Sequence, residues 1–182
     1  PVHLFDNLFN QVEAWNSDSD KTYGLKNIGV GVPNGNFYTG MVIDPPNLGK
    51  DWNRLDLVSL IKKYQSIPVK ITNDANAAAI GEKYYGAAKN MKDVVIITLG
   101  TGLGSGIIVN DSVLYGYDGF AGELGHIIVD PNGRVSGNGR RGSLEMYVSA
   151  KGMEHTINEY IEKYPDNDFL NKIKNDGYSL KE

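Results

Sequence analysis

The run Thr98-Leu-Gly-Thr-Gly-Leu-Gly-Ser-Gly106 constrains this chain more than any other segment. A dinucleotide-binding fingerprint would need a third glycine where Ile107 stands, and a helix after it. Instead Ile107-Ile-Val109 follows, and β-branched residues favour a strand. Val94 to Leu99 reads as a buried strand and Gly106 to Val109 as a second, so the glycines join two strands as a hairpin. Such a loop is either a tight turn and nothing more, or a nest of backbone N–H groups converging on an anion, with the Thr101 hydroxyl as a further donor.

Hydrophobic spacing sets out the rest. Leu4, Phe5, Leu8, Phe9, Val12 and Trp15 predict an amphipathic helix over 2–16, ended by the polar stretch 16–21. Ile28, Val30 and Val32 alternate with glycines, which predicts a strand running into the Pro33-Asn34-Gly35 turn. Residues 39–43 read as a short strand, Leu55 to Ile61 as a helix, 68–72 as a strand and 75–85 as an alanine-rich helix. From Leu144 to about Tyr164 the pattern is helical again, and the tail from Pro165 is polar and expected to pack loosely. Strands alternating with helices imply an α/β layer fold with a boundary near residue 72. Ligands of such sheets bind at the carboxyl ends of the strands.

Composition excludes several classes. With 41% hydrophobic and 22% charged residues the chain is globular, and its net charge of −4 does not suit a general nucleic-acid binder. It has no cysteine, hence no disulfide, thiol nucleophile or thiolate metal site. No apolar run reaches the roughly 20 residues of a membrane span, and no signal-peptide pattern opens the chain, so the expected compartment is the cytoplasm. The chain opens on Pro1 and runs at once into a helical pattern, as a piece of a longer protein would.

Three further groups carry chemistry-bearing side chains. Asn73-Asp74 lies between a strand and a helix; both are ordinary helix N-caps, and taken alone the pair reads as a cap, although one cap is enough and the other could face a ligand as a general base. Glu123-Leu-Gly-His126 sets an acid and an imidazole three residues apart, but the flanking Gly122 and Gly125 and the following Ile127-Ile-Val129 suggest a loop entering a strand rather than a helical metal site. Glu145, at a helix start, would complement the helix dipole.

In order along the chain, Asn73-Asp-Ala-Asn-Ala-Ala-Ala79, Gly100 to Gly106, Ala121-Gly-Glu-Leu-Gly-His126 and Gly142-Ser-Leu-Glu145 resemble the ROK family of sugar kinases, above all its bacterial glucokinases. Gly31-Val-Pro33 and Pro46-Asn-Leu48 are similar to two earlier family segments, with Asn34 in place of a glycine whose positive φ Asn tolerates. The resemblance implies an actin-like ATPase (ribonuclease H-like) fold of two α/β domains around a cleft, here incomplete. Residues 1–72 would be the remainder of the first domain and 73–182 the beginning of the second.

The resemblance also implies roles. Asp74 would be the catalytic base for ATP-dependent phosphorylation of a hexose, glucose to glucose 6-phosphate. Asn73, Glu123, His126 and Glu145 would bind the sugar, and Gly100, Thr101, Gly102 and Gly104 the nucleotide phosphates, with Mg²⁺ neutralising charge. A homodimer is implied, without nucleic acid or membrane. The family's first phosphate loop and its adenosine-binding stretch are absent from these residues, so the piece alone is expected not to turn over ATP. The three cysteines that many members use for a structural zinc correspond to Ser136, Asn138 and Ser143, so no structural zinc is expected. The rival readings are the sugar-binding effector domain of a ROK-type repressor and a degenerate structural relative.

Overall fold

The structure, a computed structural model, describes residues 1–18 and 24–176. They form two compact units, Pro1–Val94 with Gly106–Ala121, and Val95–Ser105 with Gly122 onward. The expected boundary at 72/73 falls inside the first unit, between a strand and the helix that follows it.

In the first unit α1 (Val2–Asp18) runs two residues beyond its expected end; residues 19–21 of the polar stretch lie outside the described residues. Of its apolar set Phe5 and Phe9 are buried, while Leu4, Leu8 and Trp15 are exposed, so the buried stripe is narrower than the spacing implied. Phe9 stacks on Tyr64 at 5.0 Å between centroids. β1 (Ile28–Gly31) pairs in parallel with β4 (Val69–Thr72), Ile28 opposite Val69 and Gly31 opposite Thr72. Asn34 holds the turn after β1 at φ 53°, as expected of an Asn in a glycine position.

The strand expected over 39–43 is only β2 (Met41–Val42), and it pairs with β3 (Leu55–Asp56) in antiparallel register. The helix expected from Leu55 therefore starts two residues later. Asp56 ends β3 and caps α2 (Leu57–Lys62), its Oδ1 accepting the Ser59 N–H at 2.9 Å. Leu57, Ile61, Ile71 and Val42 are almost fully enclosed, with Phe5, Phe9, Val32, Leu60 and Val69 around them.

α3 (Asp74–Tyr85) lies against β1 at Gly31, where a Cβ would come within 2.8 Å of the Ala77 Cβ. On another side it meets Gly106, where a Cβ would come within 3.1 Å of the Ala75 carbonyl. The alanines of this helix thus serve close approach as well as helix propensity. At its last turn Lys83 Nζ donates to the Met91 carbonyl at 2.6 Å and to Asp111 Oδ1 at 2.5 Å.

β5 (Val94–Leu99) and β6 (Leu103–Val109) carry the chain between the units, and β7 (Ser112–Val113) pairs with the end of β6, Ile108 opposite Val113. β5 is not the buried strand expected. Val95, Ile97 and Leu99 are exposed, because no described element covers that face. β6 begins at Leu103, so the glycine loop is shorter than the sequence suggested.

In the second unit Ile127–Val129 does not form the expected strand. A single bridge, Ile128 to Ser143, is formed there, supported by Val129 N–H to the Gly142 carbonyl and Leu144 N–H to the Ile127 carbonyl, both 2.8 Å. The helix expected over 144–164 is two: α4 (Glu145–Val148) and α5 (Ala150–Lys163). Ser149 divides them by taking extended dihedrals and accepting the Gly152 N–H on its Oγ, the local bond that makes Ser an N-cap. The tail, expected to be polar and loosely packed, contains α6 (Asp168–Asp176), a helix with no buried residue; residues 177–182 lie outside the described residues. Among the described residues no helix is long and apolar enough to cross a membrane.

Two outcomes follow for the first unit. Leu57→Ala removes a fully enclosed side chain and is expected to lower stability in urea unfolding of the complete protein by about 2–5 kcal/mol. The hydrogen bond from Lys83 holds the Asp111 carboxyl below its ordinary value. A lowered folded pKa gives stability that is present above the unfolded value and is lost as pH falls through the folded one. Asp111→Asn should therefore flatten the loss of melting temperature below about pH 4, read by thermal scans across acid pH.

Candidate functional site

In the first unit Asn73 follows β4 and caps α3, its Oδ1 accepting the Ala75 N–H at 2.8 Å. Asp74, the first residue of α3, also offers Oδ1 to that N–H at 2.9 Å, but its side chain is exposed. The cap is thus filled by Asn73, and a carboxylate stands open to solvent at the amino end of α3. The spacing did not single out Asn36. It is 3% exposed; its Nδ2 donates to the Asp118 carbonyl at 2.6 Å while its Oδ1 accepts from the Tyr38 and Thr39 N–H groups at 3.0 Å. It ties the turn after β1 to the 116–119 loop. Its sequence signal was an Asn two residues before a Tyr-Thr pair, the pattern of an Asx turn.

In the second unit the turn between β5 and β6 is Gly100-Thr101-Gly102, closed by a bond from the Gly100 N–H to the Gly102 carbonyl at 3.0 Å. The Leu103 N–H donates to Glu145 Oε2 at 2.9 Å. A Cβ at Gly102 would collide with that carboxylate, so the Glu145 side chain can stay where it is only while residue 102 is glycine. A Cβ at Gly100 meets nothing within 4 Å, and the Gly100 carbonyl accepts the Ala150 N–H at 2.9 Å. Gly104 lies inside β6, past the turn.

Glu123 and His126 flank a short 3-10 turn, Leu124–His126. Both are exposed, with His126 Nε2 at 3.9 Å from Glu123 Oε2. Ser105, buried in β6, braces this turn from beneath: its hydroxyl donates to the Gly122 carbonyl and accepts the Leu124 N–H at 3.2 Å. The sequence hid Ser105 inside the glycine run, where it read as one more small residue. The structure thus brings Gly102, Glu145, Ser105 and the Glu123–His126 turn together within one unit, and Asn73 with Asp74 within the other.

At the positions that the resemblance gives to thiolates, Ser136 Oγ donates to the Arg140 carbonyl at 2.7 Å and the Arg140 N–H donates to Asn138 Oδ1 at 3.0 Å. Ser143, 1% exposed, has a hydroxyl without a hydrogen-bond partner. Among the described residues no three His, Cys, Asp or Glu side chains gather where they would hold a metal ion.

A Gly102→Ala substitution is expected to push the Glu145 carboxylate off the Leu103 N–H. Loss of a charge-assisted bond of about 1.5–3 kcal/mol should speed exchange of the Leu103 amide by about tenfold or more, measured by NMR on the complete protein.

Comparison with known proteins places these residues among relatives. The family model described as ROK family matches residues 5–180. The chain is 38% identical over 149 residues to a xylose repressor of Bacillus subtilis, covering 82% of this chain and 38% of that one. It is 38% identical over 138 residues to a glucokinase of Thermotoga maritima, covering 75% and 43%. Among solved structures, a ROK family transcriptional regulator described as a homolog of the E. coli MLC protein has a TM-score of 0.75 at 29% identity, covering 88% of this chain and 40% of that one. A ROK family glucokinase from Streptomyces griseus, in complex with glucose and AMPPNP, has a TM-score of 0.66 at 32% identity, covering 88% and 51%. The chain spans about two fifths of the length of these curated relatives.

Proposed function

The chain belongs to the ROK family, and from that premise we propose that it is part of an ATP-dependent hexose kinase of glucokinase type. Its fold is the α/β actin-like ATPase fold of that family's sugar kinases, of which the chain carries a part. In the proposed division residues 1–72 complete the first domain and 73–182 open the second.

The observation that carries the reading is the start of α3. Asn73 caps the helix there, and the Asp74 carboxylate is exposed at the carboxyl end of a parallel strand. A second cap would be redundant; a general base is not. In the proposed reaction Asp74 accepts the proton of the sugar 6-hydroxyl as that oxygen attacks the γ-phosphorus and the bond to the ADP oxygen breaks. Asn73, Glu123, His126 and Glu145 hold the remaining hydroxyls, whose donors and acceptors lie at fixed angles. The donor is ATP as its Mg²⁺ complex, the ion offsetting charge on the phosphates. Gly100, Thr101, Gly102 and Gly104 form the phosphate-binding run of this reading, with the N–H groups of Thr101 and Gly102 and the Thr101 hydroxyl as donors to those phosphates. The proposed setting is a cytoplasmic homodimer.

A second reading is the sugar-binding part of a ROK repressor, favoured by the likeness to the xylose repressor. It uses the same sugar contacts and leaves Asp74 without a proton to take.

Phosphorylation of a hexose panel by the complete protein, with sugar titrations alongside, separates the two. The kinase reading expects ATP-dependent turnover, and in Asp74→Asn a fall in kcat on the order of 10²-fold or more with a smaller change in sugar affinity. Residues 1–182 alone should not turn over ATP. Near wild-type turnover by Asp74→Asn would leave Asp74 a helix residue only, and tight sugar binding without turnover by the wild type would favour the repressor.

A further inference from the structure

Arg134 takes no part in the proposed chemistry, yet its guanidinium is bonded on every side. Nη1 donates to the carbonyls of Met146 at 2.8 Å and Gly152 at 2.9 Å. Nε and Nη2 meet the two carboxylate oxygens of Glu159 at 3.3 and 2.5 Å. The guanidinium carbon lies 4.8 Å from the centre of the Tyr147 ring, and the Arg134 N–H donates to the Tyr147 hydroxyl at 3.1 Å. The side chain is 10% exposed.

These partners belong to α4 and α5, and α4 has only four residues. A helix that short has no stability of its own, so tertiary contacts decide where it lies. The Met146 carbonyl is among the helix-end acceptors that have no partner within the helix. Arg134 supplies that partner one residue away from Glu145, whose carboxylate reaches the Leu103 N–H of the glycine turn. A planar fork can engage two carbonyls along one edge and a carboxylate along the other, which an ammonium cannot do.

We propose that Arg134 is a positioning residue that fixes Glu145 against the glycine turn and thereby sets how tightly the site grips its hexose. The link to sugar rests on the hexose-binding reading of Glu145; the link to the turn does not.

The test uses the complete protein and two readouts. Arg134→Met should speed exchange of the Leu103 amide by about tenfold and weaken hexose binding by about tenfold, with kcat at saturating sugar changed by less than about threefold. Arg134→Lys should fail to restore either. In a Glu145→Gln background, Arg134→Met should add little to the loss of affinity, since the two side chains act along one path. Should Arg134→Met not fold, Glu159→Gln loosens the same fork and is expected to move both readouts the same way by a smaller factor. Wild-type Leu103 exchange in whichever variant folds would overturn the proposal, as would an equal loss of affinity with and without Glu145. If the wild type binds no hexose, it is the sugar reading that fails, and Leu103 exchange alone still decides whether Arg134 holds Glu145.

Discussion

The glycine turn and the first residue of α4 meet because residue 102 carries no side chain. Into the space a Cβ would fill comes the Glu145 carboxylate, bonded to the Leu103 N–H. A turn whose N–H groups attract anions has therefore taken one of the protein's own. This divides the turn: the Leu103 N–H serves Glu145, and in the kinase reading Thr101 and Gly102 are the groups left for the phosphates. A phosphate bound there would lie near a carboxylate of like sign, so the turn by itself is a weak phosphate holder. In the kinase reading the charge that makes nucleotide binding favourable has to come from the metal ion and from outside these residues.

The first unit depends on a similar closeness. α3 lies on β1 through Gly31 and Ala77, and on β6 through Gly106, Ala75 and Ala79. Larger side chains at any of these positions would lift the helix, and with it the carboxylate at its amino end. The placement of Asp74 is therefore a property of small residues within about a turn and a half of it along the helix, and of the glycines they meet. Among the described residues the bond that orients it is the one from the Ala75 N–H, which it shares with Asn73.

Much of this was legible because one physical signal dominated each segment. The i, i+4 pair Phe5 and Phe9, the β-branched run of β4 and the alanines of α3 each admitted one element, and each formed. The errors arose where two signals competed. Leu55 belongs to an apolar helical pattern, yet Asp56 is a strong cap and starts the helix after itself. Leu144 to Tyr164 reads as one helix until Ser149 turns its hydroxyl to the Gly152 N–H. Ile127-Ile-Val129 has strand propensity, but a strand needs a partner, and its neighbour supplies a single bridge. β5 reads as buried from composition, while burial is decided by what covers it. At the candidate site Asn73 and Asp74 could be separated into cap and exposed carboxylate only with coordinates. Ser105 stood in the glycine run and Arg134 in a polar loop with nothing to mark either, since their partners lie 12 to 25 residues away in sequence.

The 130–143 loop shows why that last kind of residue matters. Ser136, Asn138 and Arg140 bond mainly to one another, which closes a hairpin but fastens it to nothing else. Attachment comes from two other sources. The backbone bond from Gly142 to Arg134 at 2.7 Å and that from Val129 to Gly142 tie the loop to itself and to the 127–129 segment. The Arg134 side chain, with the Arg134 N–H on the Tyr147 hydroxyl, then ties it to α4 and α5. The Glu159 carboxyl that completes the fork is held below its ordinary value by the hydrogen bond from Arg134, so the pair remains ionised into mildly acid solution. Four oriented acceptors around a planar cation fix direction as well as distance. A loop without a single thiolate can in this way deliver one carboxylate, Glu145, to one backbone N–H.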